Sequence, residues 1–295
     1  MANELDLHMH SSISIDGEYS PAELMQLCRA RGLKTVALTD HNTMEGIAEA
    51  REAAEALGLE LIPGIELDCQ FQGVNVHLLG YGIQPSQGLA AYGQDLIEQE
   101  QAASSVRIRL VQELGISLDV DQVRALSRQG IVTGEVIAEV ALGDKRNLHN
   151  PLLAPYREGG ARSDNPYVNF YWDTCAQGKP AYVPVEFISL AEAVRLVKEA
   201  GGFPVLAHPG INIGVNGDLL RGIVGCGVEG IEVYSSYHDA ATVAYYKAQA
   251  EAYNLLKTLG SDFHGKTKPA VQLGGIDCPE EAAISAGIRR ALGSR

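Results

Sequence analysis

No apolar run in the chain approaches the roughly 18 residues that a membrane-spanning helix needs, and no basic segment leads into a hydrophobic stretch at the start. These two absences predict a cytoplasmic protein without a membrane partner. Cysteine is scarce and unpatterned. Cys28, Cys69, Cys175, Cys226 and Cys278 are odd in number, lack CxxC spacing and read as reduced thiols. A long basic run is also missing. Asp and Glu outnumber Lys and Arg by 37 to 23, and the resulting net charge of -14 disfavours a nucleic-acid polymer as partner. A small phosphorylated ligand remains compatible with that balance, because bound divalent ions invert the field locally. No internal repeat of roughly 20 to 50 residues suggests a solenoid.

What is present suffices for a full core, since 46% of the 295 residues are hydrophobic, enough for one large domain with an insertion or for two unequal domains. Short apolar runs at 5–10, 35–41, 60–68 and 75–83 read as strands. Ser20, Pro21 and Glu23 supply an N-cap, a proline at the first helical position and an acidic first turn, with Gly32 as the stop. Thr43 and Gly58 are expected to bracket a second helix. This alternation implies parallel strands joined by helical crossovers.

From about residue 88 to 165 the texture is helical, with helices expected at 89–114, 119–127 and 133–142. Residues 147–180, rich in Pro, Gly, Asn and aromatics, read as ordered loop. Strands resume at 203–208, 230–234 and 259–264, separated by helices, and a last helix is expected over 279–292. The expected fold is α/β: seven strands forming a parallel barrel from residues 1–84 and 180–295, with a mainly helical insertion over 85–179 covering the active site.

His8 and His10 lie two apart on a strand, so both imidazoles point the same way and can reach one ion. Alone, such a pair is as readily two polar strand-end residues. The remaining positions decide the matter. Asp16 follows the first strand, His41 and Glu66 end the next two, His77 lies in the fourth, and His208, Asp262 and His264 end later ones. In a parallel barrel the carboxyl ends of the strands gather on one face, and six of the eight histidines fall in this set. Imidazole nitrogens and carboxylate oxygens suit zinc, manganese or iron, and a shared carboxylate can bridge two ions.

The series Leu7-His8-Met9-His10, Leu38-Thr39-Asp40-His41, Pro63-Gly64-Ile65-Glu66, Ala207-His208-Pro209 and Ser261-Asp262-Phe263-His264 resembles the PHP (polymerase and histidinol phosphatase) family at both ends of the chain. The resemblance implies a distorted seven-stranded barrel with two or three divalent metal ions. Carried over by position, His8, His10, Glu66 and Asp262 hold one ion, Glu66, His77 and His208 a second, and Asp16, His41 and His264 a third. Asp40 lies outside this set and reads either as an acceptor that orients a ligand imidazole or as a helix cap.

Two neighbouring ions neutralise phosphoryl oxygens and acidify a bridging water. The expected reaction is therefore hydrolysis of a phosphate ester of a small metabolite, a sugar phosphate or nucleotide, by a metal-bound hydroxide. Asp262 or His264 would assist proton movement, in competition with ligation. Lys179 resembles a phosphate-contacting position of related PHP phosphatases, with a solvated loop lysine as an equal reading. His238, after a predicted strand end, is the candidate for phosphate or leaving-group contact, against a helix-capping role. His149 reads as structural or exposed.

Arg128, Arg146, Arg157 and Arg162 are candidates for a second phosphate. The family's nucleotide-bisphosphate phosphatases place an arginine in the inserted helices, where this chain has Ile131-Val132-Thr133-Gly134-Glu135, a departure that disfavours such a substrate. The aromatic run from Asn165 to Trp172 offers stacking or packing surface, and is similar to that of PHP enzymes that open a phosphoribosyl 1,2-cyclic phosphate. The rival readings are a carbon–nitrogen amidohydrolase on the same barrel and a closed metal-binding protein without catalysis.

Overall fold

The computed structural model describes residues 4–293. Seven strands, β1 (Leu5–Asp6), β2 (Thr35–Leu38), β3 (Glu60–Phe71), β4 (Val74–Tyr81), β5 (Phe203–Leu206), β6 (Gly230–Ser235) and β7 (Leu256–Gly260), pair in sequence order. Beyond their regular ends the first and last strands meet. The Leu7 N–H donates to the Leu259 carbonyl (3.2 Å), the Asp262 N–H to that of His8 (2.7 Å) and the His10 N–H to that of Phe263 (3.0 Å). The sheet thereby curls into a nearly closed α/β barrel.

The expectation of parallel strands throughout is corrected at one place. β4 runs antiparallel to both β3 and β5, while the other pairs are parallel. Phe71 pairs with Val74, so only Gln72 and Gly73 join the two strands, both at positive φ (51° and 79°). Two residues in that conformation make a tight hairpin, and a parallel connection needs a crossover of about a dozen residues or more.

Helix α1 (Pro21–Ala30) has the expected start: Ser20 Oγ accepts from the Glu23 N–H, and the Glu23 carboxylate accepts from the Ser20 N–H. Helix α2 (Ile47–Leu57) begins later than Thr43, which caps only a local turn by accepting from the Glu45 N–H. Its N-cap is Gly46, where a Cβ would come within 2.8 Å of the Asp40 carboxylate. Between β4 and β5 lie α3 (Gln87–Glu113), α4 (Val120–Leu126) and α5 (Gly134–Gly143). The stretch read as loop also contains α6 (Pro166–Phe170), continued by a π-helical turn (Tyr171–Cys175). Pro166 starts it, and Phe170 and Cys175 are buried among Ile137, Ala141 and Leu153 in a core of its own.

The chain then supplies α7 (Leu190–Glu199), the single turn α8 (Pro209–Asn212), α9 (Gly217–Gly225), α10 (Ala240–Ala252) and α11 (Glu281–Gly293). The main core gathers Leu5, Leu7, Ile65, Leu78, Val205 and Leu259 of the sheet with side chains of the surrounding helices, and a third cluster includes residues of α1 and α2. None of the described helices is long and apolar enough to cross a membrane.

Gly260 sits where β7 approaches β1, and a Cβ there would lie 2.2 Å from His8 Cβ and 2.5 Å from Glu232 Oε1. Gly260→Ala is expected to lower the unfolding free energy in urea by about 1–3 kcal/mol through this overlap. The control is Gly225→Ala, in open space at the end of α9, expected to be neutral or to stabilise by up to about 1 kcal/mol.

Candidate metal centre

The carboxyl ends of the parallel strands carry the polar side chains. His8 and His10 project from the extension of β1, and both are fully buried, as are Glu66 of β3 and His264 beyond β7. The backbone turns sharply after β5 and β7, since His208 and Asp262 are non-glycine residues at positive φ (21° and 58°). Those turns end both strands before the histidines and set two more side chains at the rim.

All nine residues anticipated as ligands converge there. Glu66 Oε2 lies 3.0 Å from His8 Nε2 and 3.1 Å from His10 Nε2, and Asp262 Oδ1 lies 3.4 and 3.2 Å from the same nitrogens. Glu66 Oε1 meets His77 Nδ1 at 2.9 Å and His208 Nε2 at 3.0 Å. Asp16 Oδ2 is 3.1 Å from His264 Nε2 and 4.0 Å from His41 Nε2, while His41 Nδ1 is 3.5 Å from Glu66. Three subsets are compact enough for one ion each: His8, His10, Glu66 and Asp262; His10, His41 and His264; and His41, Glu66 and His77.

The outer nitrogens fix the tautomers. His8 Nδ1–H donates to Glu232 Oε1 (3.0 Å), His208 Nδ1–H to Asn212 Oδ1 (2.8 Å) and His264 Nδ1–H to the Asp262 carbonyl (2.9 Å). Ser14 gives its one hydroxyl proton to Asp40 (3.0 Å), so His10 Nδ1–H must donate to Ser14 Oγ (3.1 Å). Asp40 therefore orients His10 through Ser14 and does not cap a helix. With Nδ1 engaged from behind, each of the four rings turns its Nε2 toward a carboxylate oxygen.

An imidazole nitrogen about 3 Å from a carboxylate oxygen needs a proton or a metal ion between the two atoms. His10 Nε2, His264 Nε2, His41 Nδ1, Asp16 Oδ1 and Asp262 Oδ1 are buried without any hydrogen-bond partner among the described residues. The donor set of nitrogens and carboxylate oxygens, with second-layer acceptors already in place, fits divalent metal ions.

Electrostatics say the same. Burial opposes charge on His77, yet Glu66 overcomes it and takes the imidazole up to about 9. Burial likewise opposes charge on His8, and Glu66, Glu232 and Asp262 hold it well above the usual value. Burial together with His264 and His41 pushes His10 down to about 4. Burial would raise Glu66, but His8, His77 and His41 hold it well below the usual range.

Other anticipated contacts fall elsewhere. His238 is not a cavity residue: its Nδ1–H donates to the Val233 carbonyl (2.9 Å), its Nε2 accepts from the Gly210 N–H (2.9 Å), and the ring stacks on Tyr246. This corrects its expected substrate contact to a role in bracing the turn beside His208. The four arginines are also corrected. Arg128 Nη1 donates to the carbonyls of Ser12, Ser14 and Gly17, gripping the loop that carries Asp16. Arg146 pairs with Asp144, Arg162 with Asp173, and Arg157 donates to the carbonyls of Leu142 and Asn147. His149 is exposed.

A cavity of about 460 Å³ opens beside the cluster, with Asp16, His41 and His77 on the barrel side and Glu135, Trp172 and the exposed Lys179 on the inserted side. Residues not singled out in the sequence complete the centre. Glu232, fully buried, holds His8 and also accepts from the His208 N–H (2.8 Å). Asp68 faces His77 Nε2 (3.2 Å) and is fixed by Asn42 (2.6 Å). Tyr237 and Lys268 both bond Asp262 Oδ2, at 2.5 and 2.6 Å. The readable signal for Glu232 was a lone acid between Ile231 and Val233.

The PHP domain family model matches residues 6–159. A phosphoribosyl 1,2-cyclic phosphate 1,2-diphosphodiesterase from Eggerthella lenta is 32% identical over 88% of this chain and 94% of its own length. A 3',5'-nucleoside bisphosphate phosphatase from Chromobacterium violaceum is 29% identical (90% and 88%), and a 5'-3' exoribonuclease from Haemophilus influenzae 28% identical (90% and 91%). Among solved structures, an amidohydrolase from Chromobacterium violaceum with bound sulfate and no metal superposes with a TM-score of 0.78 at 26% identity, over 96% of both chains. The chain belongs to the PHP domain family, a family of metal-dependent phosphoesterases.

Because the ion-free cluster is held partly by protons, adding zinc or manganese at neutral pH is expected to release protons, measured in weakly buffered solution with an indicator dye. Glu232→Gln should weaken ion binding by about 10- to 100-fold, read by elemental analysis after dialysis against a graded chelator.

Proposed function

We propose that the chain hydrolyses a phosphate ester of a small phosphorylated metabolite, using two or three divalent ions, zinc, manganese or iron. The ligands we assign are His8, His10, Glu66 and Asp262 for one ion, Glu66, His77 and His208 for a second, and Asp16, His41 and His264 for a third. One observation carries this reading: four buried imidazoles turn Nε2 atoms onto carboxylate oxygens beside an open cavity. When bound, the ions would supply Lewis acidity to phosphoryl oxygens and make water acidic enough to attack.

The chain's own residues do the rest. Glu66 presents one oxygen to His8 and His10 and the other to His77 and His208, Asp262 presents Oδ1 to His8 and His10, Glu232 and Asp40 hold rings in register, and Asp262 or His264 would assist proton movement in competition with ligation. The cavity volume suits a mononucleotide or sugar phosphate rather than a bare phosphate ion. Residues 85–179, as an inserted unit, would wall that cavity, with Lys179 at its mouth as a phosphate contact. Since all four candidate arginines are bonded within the protein, a second phosphate lacks a ready partner among them. That favours a singly phosphorylated ester; a phosphoribosyl 1,2-cyclic phosphate, named for the Eggerthella relative, carries two phosphoryl groups and would rely on the ions and Lys179 for both. Five unpaired thiols suit work in the reducing cytoplasm.

The test is a phosphate-release screen of sugar phosphates, nucleotides and cyclic phosphates with zinc or manganese restored to metal-free enzyme. A 5'-phosphorylated oligoribonucleotide belongs in it, because the exoribonuclease relative undercuts an exclusion based on net charge alone. Amide substrates cover the amidohydrolase alternative. We expect release from at least one small ester; release from none, or turnover of amides alone, would reject the proposal. His8→Ala and Glu66→Ala are expected to lose ions and activity together. Lys179→Ala should raise KM by roughly tenfold with a smaller change in kcat, and unaltered kinetics would remove its role.

A further inference from the structure

We propose that Lys268 is a catalytic residue, the fixed cation that receives the substrate's phosphoryl group beside the ions. The assignment rests on the phosphoesterase reading and names a contact within that site.

Lys268 follows the turn Gly265–Thr267 after β7 and lines the cavity together with Asp16 and His41. Its side chain is 13% exposed, and its ammonium lies 2.6 Å from Asp262 Oδ2 and 5.6 Å from the centre of the Tyr237 ring. The Tyr237 hydroxyl donates to the same oxygen. The turn is itself anchored: Thr267 Oγ1 donates to the Asp16 carbonyl (2.6 Å) and the Lys266 N–H to Glu18 (2.6 Å). The ammonium is therefore held by its position and its partner, and has N–H donors beyond the one given to Asp262.

Charge makes the case for a substrate contact. Asp16, Glu66, Asp68 and Asp262 converge on this rim, and a phosphate ester adds another anion. Three basic side chains other than histidine line the cavity. Arg107 binds Glu100 (2.9 Å) and the Val132 carbonyl (2.5 Å), away from the ligand cluster, and Lys179 is exposed on the far side of the cavity. Lys268 alone of the three is buried against a member of the ligand cluster. An ammonium is a compact point charge, suited to a phosphoryl oxygen whose position shifts during reaction.

The experiment compares wild type with Lys268→Met and Lys268→Arg, loaded with manganese. Inorganic phosphate affinity is measured by calorimetry and ion content by elemental analysis. Expected is retention of the ions in both, with the phosphate Kd raised about 10- to 100-fold in Lys268→Met and within about threefold of wild type in Lys268→Arg. If Lys268→Met does not fold, Lys268→Gln takes its place, keeping a hydrogen bond to Asp262 without the charge. An unchanged phosphate Kd would overturn the proposal. So would an ion loss matching that of Asp262→Ala, which would make Lys268 only a support for that carboxylate. Wild type that binds phosphate through Lys268 yet hydrolyses no ester would sink the phosphoesterase reading and the catalytic role with it, leaving Lys268 as a phosphate contact.

Discussion

Three backbone hydrogen bonds across the seam between β1 and β7 bring the two ends of the chain together, and the centre depends on them. They set His8 and His10 within 3.4 Å of Asp262 Oδ1 and stack His10 on His264. The seam is pinned by Asp6, a buried carboxylate that accepts from the Ser261 N–H (2.9 Å) and the Gly274 N–H (2.9 Å). An acid taken out of water needs such donors, and here they fasten the loop after β7 to the start of the chain. The space Gly260 leaves for His8 and Glu232 belongs to the same arrangement. Backbone register, more than side-chain attraction, decides where the imidazoles stand.

Within that frame the charges are arranged for occupants. Several carboxylates share a dry pocket with imidazoles, and Glu66 raises His8 and His77 to hold protons where ions would otherwise sit. The hydrogen bonds that orient each ring from behind lose their purpose if the rings are free to turn away. Glu232, Asn212 and the Asp40–Ser14 pair fix the geometry in advance, so that binding does not have to create it.

Much of this was legible in the chain. Residue type and recurrence at strand ends pointed to a cluster at one rim, because a barrel turns strand-end position into proximity, and the resemblance to the family singled out the nine side chains. The reversal of β4 was missed, although even the six residues left between the strands expected at 60–68 and 75–83 are too few for a parallel crossover. The short helix at 166–170 escaped because five residues show no helical period. His238 looked like the ligand histidines since it too follows a strand. What separates it is the Gly210 N–H, a neighbour visible only in space. Lys268 and Tyr237 carried no pattern at all, and their meaning comes entirely from sharing one oxygen of Asp262.

Arg128 reaches from the inserted region to three carbonyls of the loop bearing Asp16, so the segment that shapes the cavity also steadies one member of the cluster. A relative that exchanged this region for another would alter the fit of its substrate and the footing of that carboxylate in one stroke. Divergence of specificity in such a scaffold is coupled to the chemistry, and grafted insertions can succeed only when they bring a replacement for the clasp.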